Sequence, residues 1–306
     1  MTDDGPAAVE VPDPEGDGVL VDVVGAGICG SDFHIMRLGL GTTLGHEFAG
    51  RVDGRPVAVQ PFVHCLACRS CAAGRTALCE PGTTKLYGIH RNGGMAESVV
   101  VDPSCLVELP PELDPSNACL VEPVAVGLHA VHRGAIEPGM RVLVVGAGMV
   151  GLMAGALARR AGAEVDIVAR HPGQFAAAER LGLGTDPSNG YDAAIEGAGS
   201  GAALAAAVDG CVPGGRVVLA GSYWASVELP GFAVQLKEID LVPSIYYGHH
   251  DGVREVDEAA AVLVELPELA ETLVTHRFPL ADAAQAFEAA ADRASGAIRV
   301  VIEPGT

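Results

Sequence analysis

The chain has 306 residues and a formal charge of -20, from 39 acidic and 19 basic side chains. That length suffices for about two domains with cores of their own, and the charge excludes a nucleic-acid surface, which needs a basic face. No run of about 18 apolar residues is present to span a membrane, and acidic residues 1–10 lack the basic and apolar parts of a secretory leader, so a cytoplasmic location is expected.

In chain order, residues 8–11 read as a short strand among Asp, Glu, Pro and Gly. Residues 19–24 form a clear strand, closed by Gly25 and Gly27. Ser31 or Asp32 caps a short helix over 34–38 that Gly39 ends. Strands follow over 56–63, 96–101 and 106–109, and Pro110-Pro111 breaks the pattern. From Ser116 the pattern turns helical, through 124–133. Strands at 142–145, 164–169, 192–196 and 215–220 then alternate with helices at 152–160, 174–181 and 201–209. That alternation predicts an α/β unit with a doubly wound parallel sheet. The tail predicts helices over 253–264 and 281–291 and a last strand over 298–302.

Three groups of residues carry chemistry. Cys65, Cys68, Cys71 and Cys79 form C-x2-C-x2-C-x7-C in a short loop. Four thiolates so close in a cytosolic chain suit a closed, structural zinc site, and the spacing departs from the iron–sulfur run C-x2-C-x2-C-x3-C-P. The remaining cysteines, Cys105, Cys119 and Cys211, read as buried thiols. Gly146, Gly148, Met149, Val150 and Gly151 stand in a G-x-G-x-x-G between an apolar strand and an alanine-rich helix. There the backbone can cradle a dinucleotide pyrophosphate. Cys29, His46, Glu47 and Glu122 are ligand types for a catalytic zinc with one open position, but their spacing does not bring them together.

Cys29-Gly-Ser-Asp-Phe-His34, Gly45-His-Glu-Phe-Ala-Gly50, the four-cysteine cluster and the glycine fingerprint, in that order, resemble the zinc-containing alcohol and polyol dehydrogenases of the medium-chain dehydrogenase/reductase superfamily. The resemblance implies a GroES-like β-barrel catalytic domain over residues 1–122, completed by 247–306, and a Rossmann domain over 123–246. It implies two zinc ions per chain, one structural and one catalytic. For the catalytic ion, Cys29 matches the cysteine ligand and His46 the histidine ligand. Glu122 falls where ethanol-type enzymes carry cysteine and polyol-type enzymes glutamate, and Glu47 is the other candidate for the third ligand. Ser31 matches a hydroxyl proton relay and His34 the residue that passes the proton to solvent. Asp32 is the candidate partner that orients His46, since a metal-bound imidazole usually donates its other N–H. The reaction implied is hydride transfer between a secondary alcohol, polyol or sugar-type hydroxyl, or its carbonyl, and a nicotinamide.

Counting from Gly151 by the family's strand length, the place that reads the ribose 2′-oxygen holds Arg170, flanked by Ala169 and His171. An arginine cannot accept from a hydroxyl but suits a 2′-phosphate, so NADP is favoured over NAD. NAD with the arginine stacked on adenine is the other reading. Asp166 lies inside the strand and is not expected to reach. Arg299 either reaches the cofactor or is an exposed strand residue. The first domain is trimmed before Val19 and between Gly50 and Val57, which implies a smaller barrel and an edge covered in a homodimer or homotetramer. The competing reading is a zinc-stabilised nucleotide-binding protein with a regulatory or structural role and no active catalytic metal.

Overall fold

The computed structural model describes residues 6–81, 85–292 and 294–305, so part of the acidic leader, residues 1–5, lies outside the described residues. The chain divides into two compact units, Met1–Glu122 with Gly248–Thr306, and Pro123–Tyr247.

The first unit begins with β1 (Val19–Gly27), α1 (Asp32–Ile35), β2 (Glu47–Val52), β3 (Arg55–Val59), α2 (Arg69–Ala72), β4 (Ser98–Val101) and β5 (Leu106–Glu108). In the first half of β1, Val21 and Val23 are buried while Leu20 and Asp22 are exposed, the alternation that one covered face requires. The register with β2 shifts between Val23 and Gly25, and beyond that irregularity Gly25, Ala26 and Gly27 are all buried. This buries the end of β1 and leaves the partly buried Cys29 just after it.

Next, α3 (Val121–Arg133) leads into the second unit, which contains β6 (Arg141–Val145), α4 (Met149–Arg160), β7 (Glu164–Val168), α5 (Pro172–Arg180), β8 (Tyr191–Glu196), α6 (Gly201–Gly210), β9 (Cys211–Leu219), α7 (Gly231–Leu236) and β10 (Asp240–Pro243). Its five strands are all parallel, in the order β10-β9-β8-β6-β7. One core packs Leu143, Val145 and Val217 against Leu204, Ala207 and Val208 of α6.

The chain returns to the first unit with β11 (His249–His250), β12 (Val253–Arg254), α8 (Glu255–Glu265), α9 (Glu268–Leu273), β13 (Val274–Pro279), α10 (Ala283–Ala291) and β14 (Arg299–Glu303). The seven-stranded sheet of this unit runs β13-β14-β1-β2-β3-β5, with β4 also paired to β1. Its core joins Val21, Phe48, Val99 and Tyr87 to Phe287 and Ile302 of the returning segment.

Several expectations need correction. Residues 8–11 form no strand; Val9 and Val11 are 56% and 61% exposed and residues 6–15 carry no regular structure. Pro12 and Pro14 beside them cannot donate to a ladder. The strand expected over 56–63 ends at Val59. The segment 231–279 also holds α7, β10, α9 and β13, which were not anticipated, because each is a run of only four to six residues.

A candidate metal centre and a dinucleotide-binding turn

Cys29 follows β1, His46 precedes β2, and Glu47 opens β2, where it pairs with Gly27. Antiparallel pairing of β1 with β2 therefore places the three side chains at one end of the sheet. One ligand atom from each of Cys29, His46 and Glu47 lies within 4.8 Å of the others. The Glu122 carboxylate falls outside that group, although it too is buried. Among the described residues, the structure thus brings together Cys29, His46 and Glu47, with Glu122 nearby.

Asp32 is fully buried in α1, where its Oδ2 accepts from the Cys29 backbone N–H at 2.8 Å and its Oδ1 stands 3.2 Å from His46 Nδ1. That fixes which ring nitrogen faces the carboxylate. His46 Nε2 is left to Ser31 Oγ, 3.1 Å away. Ser31 occupies the N-cap position of α1 but makes no capping hydrogen bond, so the expected cap function is replaced by this contact. His34 sits in the same short helix, its backbone N–H donating to Ser31 O at 2.9 Å. Burial alone would lower the His46 pKa, but the Asp32 carboxylate and the Cys29 thiol together hold it well above its ordinary range. Burial, aided by Glu47, pushes the Cys29 thiol up. Burial and then Glu47 push Glu122 up to about 8.

Arg299 is the residue that the sequence misplaced. It is 3% exposed, and its guanidinium spans both Glu47 oxygens, with Nη1 2.6 Å from Oε2 and Nη2 3.2 Å from Oε1. Nη1 also donates to Ile28 O at 2.6 Å. The available signal was a lone arginine inside the apolar run Ile298-Arg-Val-Val-Ile302, since charged residues are almost never buried without a partner. Phe33, partly buried, packs edge-on against Phe287 of the core.

The donor set fits zinc. A thiol, an imidazole with its far nitrogen held by a carboxylate, and a carboxylate converge on one point.

The four cysteines of the loop also converge, all four sulfurs lying within 4.8 Å of one another and Cys65 Sγ standing 4.0 Å from Cys71 Sγ. A tetrahedral zinc with bonds of about 2.3 Å needs sulfurs about 3.8 Å apart. Backbone N–H groups of Ala67 and Cys68 hold the Cys65 thiol down at about 6, which favours the thiolate a metal needs. Cys105, Cys119 and Cys211 are buried, as expected.

In the second unit, β6 runs into the glycine turn. Gly146 has φ +109°, and a Cβ on Gly151 would run into the Gly146 carbonyl. Gly148 is the N-cap of α4, so the free N–H groups of the first turn begin there. Beyond β7, Arg170 is exposed, and the backbone N–H groups of Arg170 and His171 donate to Gln174 Oε1 at 3.0 and 3.3 Å. Asp166 is engaged elsewhere, accepting from Tyr191 Oη at 2.7 Å.

Comparison with known proteins gives the family. Residues 15–111 match the alcohol dehydrogenase GroES-like domain, and residues 149–263 match the zinc-binding dehydrogenase domain. L-galactonate-5-dehydrogenase of Escherichia coli (strain K12) is 31% identical over 312 residues, covering 91% of this chain and 89% of its own. This chain belongs to the zinc-type alcohol and polyol dehydrogenases. A crystal structure from Sinorhizobium meliloti 1021, bound to NADP, superposes with a TM-score of 0.83 at 29% identity, covering 97% and 94% of the two chains. An alcohol dehydrogenase of Escherichia coli CFT073, complexed with NADH, does so at 0.81 and 26% identity, covering 96% and 94%. The family member described here is thus a zinc-dependent, NAD(P)-dependent oxidoreductase of a GroES-like and Rossmann architecture. Its relatives are dehydrogenases or reductases by name, and the regulatory-protein reading finds no support among them. Among the described residues no helix is long and apolar enough to cross a membrane.

Proposed function

We propose that this dehydrogenase oxidises a secondary hydroxyl of a polyol or sugar-derived acid, or reduces the matching ketone, with NADP preferred to NAD. The observation that carries the reading is the convergence of Cys29, His46 and Glu47 at one point. When bound, zinc supplies Lewis-acid polarisation of the substrate oxygen, and the nicotinamide supplies the hydride acceptor. Cys29 and His46 hold the metal, with Glu47 or Glu122 as the third ligand. Asp32 fixes the imidazole so that Nε2 faces inward. Ser31 Oγ takes the substrate's hydroxyl proton and passes it to His34, an imidazole that can both accept and release a proton to solvent. Arg299 neutralises Glu47 and holds its carboxylate in place. A second zinc on Cys65, Cys68, Cys71 and Cys79 has a structural role, because four protein ligands leave no open position.

Gly146, Gly148, Met149, Val150 and Gly151 hold the pyrophosphate. Arg170 and His171 recognise the 2′-phosphate, and the exposure of Arg170 supports this. The enzyme works in the cytoplasm as a homodimer or homotetramer. Zinc content and a screen of polyols and sugar acids with each nucleotide test the proposal; two zinc ions per chain and turnover of at least one such substrate are expected. Arg170→Ala is expected to lower kcat/KM with NADP while sparing NAD, and equal losses with both would remove the phosphate assignment.

A further inference from the structure

Glu196 ends β8 with no solvent exposure and takes no part in the metal centre. Its Oε1 accepts from the backbone N–H groups of Ala198 and Gly199, at 2.9 and 2.8 Å. Its Oε2 accepts from the Tyr223 hydroxyl at 2.6 Å. Its carbonyl accepts from Ala220 and Gly221 N–H, at 2.9 and 2.7 Å. One residue therefore ties the loop after β8 to the loop after β9. The two loops touch backbone to backbone, since a Cβ on Gly221 would collide with Gly199. Ala198 also abuts the phosphate-binding turn, where a Cβ on Gly146 would come 2.8 Å from its methyl. Burial, and then the carboxylate, push the Tyr223 hydroxyl above its ordinary range, so it remains a donor.

The place of these loops follows from sheet order. A dinucleotide lies across the C-terminal ends of a doubly wound sheet with its pyrophosphate at the first strand's turn. Here that turn follows β6, and the residues that meet the adenosine ribose follow β7, on one side of it. The other half of the nucleotide is left to the ends of β8 and β9, on the opposite side. We infer that Glu196 and Tyr223 form a latch that positions the nicotinamide half of the cofactor. They are positioning residues, acting through the backbone of residues 197–199 and 220–223. The inference rests on the dinucleotide reading proposed above.

The test is calorimetric titration of the full-length enzyme with NADPH, with NADH, and with ADP-ribose carrying or lacking a 2′-phosphate, which have no nicotinamide. Tyr223→Phe deletes one hydroxyl and is expected to weaken the reduced dinucleotides roughly fivefold, the scale of one ordinary lost hydrogen bond. The ADP-ribose probes are expected to bind unchanged. Glu196→Ala, which also frees the Ala198 and Gly199 N–H groups, is expected to weaken dinucleotide binding further, and Glu196→Gln to recover most of it. Unchanged dinucleotide affinity in Tyr223→Phe, or equal losses for dinucleotide and fragment, would overturn the latch while leaving the cofactor reading intact. A wild-type chain that binds none of the probes would overturn the cofactor reading, and the latch with it.

Discussion

Arg299 and Glu47 are each 3% exposed and bonded through two nitrogens and two oxygens. Such a pair is costly to assemble and more costly to break, because removing one partner leaves a buried charge without compensation. Arg299→Met is therefore expected to lower stability by about 3–5 kcal/mol, measured by urea unfolding of the metal-free protein at neutral pH. An unchanged midpoint would show that Glu47 finds another partner. Glu122 carries a pH signature. Its carboxyl rises from 4.5 to about 8 in the fold, through burial and then Glu47. Between those values the folded state binds a proton that the unfolded chain has lost, so stability falls as pH rises through the window. In metal-free protein, Glu122→Gln is expected to gain on the wild type progressively from pH 5 to pH 8. A difference constant with pH would reject that account.

At the scale of elements, the turn between β6 and α4 tolerates no side chain on Gly151, whose Cβ would meet the Gly146 carbonyl. Gly151→Ala is expected to cost at least about tenfold in dinucleotide affinity by moving the N-terminus of α4 away from the phosphates, with zinc content unchanged. The cysteine loop makes the opposite prediction: Cys71→Ser is expected to lose one zinc per chain in a metal assay and leave nucleotide binding intact. Both elements were legible in the sequence because their chemistry is local. A strand, three glycines and a helix lie consecutively, and the four cysteines fall between residues 65 and 79. The metal centre was legible only through its surrounding motifs, since strand pairing makes it. No spacing rule could rank Glu47 against Glu122, because it is the register of β1 with β2 that sets Glu47 beside Cys29 and His46. Arg299 was unreadable for the same reason, its partners Glu47 and Ile28 lying 252 and 271 residues away. The short elements between 231 and 279 were missed because four to six residues carry too little periodicity to register.

At the scale of the whole molecule, one unit is a contiguous stretch, Pro123–Tyr247, and the other is assembled from two distant pieces. Deleting β14 is expected to leave the contiguous unit folded while exposing the core of Val21, Phe48 and Phe287, as dye binding and proteolysis would report. The discontinuity also sets an order in time. During synthesis the cysteine loop is complete once residue 79 has emerged, whereas Glu47 waits for Arg299. Until then the buried carboxylate has no counter-charge, and β1 lacks the strand that pairs with Ala26 and Gly27. A zinc ion taken up during synthesis would therefore meet the cysteine loop first, and the cluster of Cys29, His46 and Glu47 would be the later of the two to form.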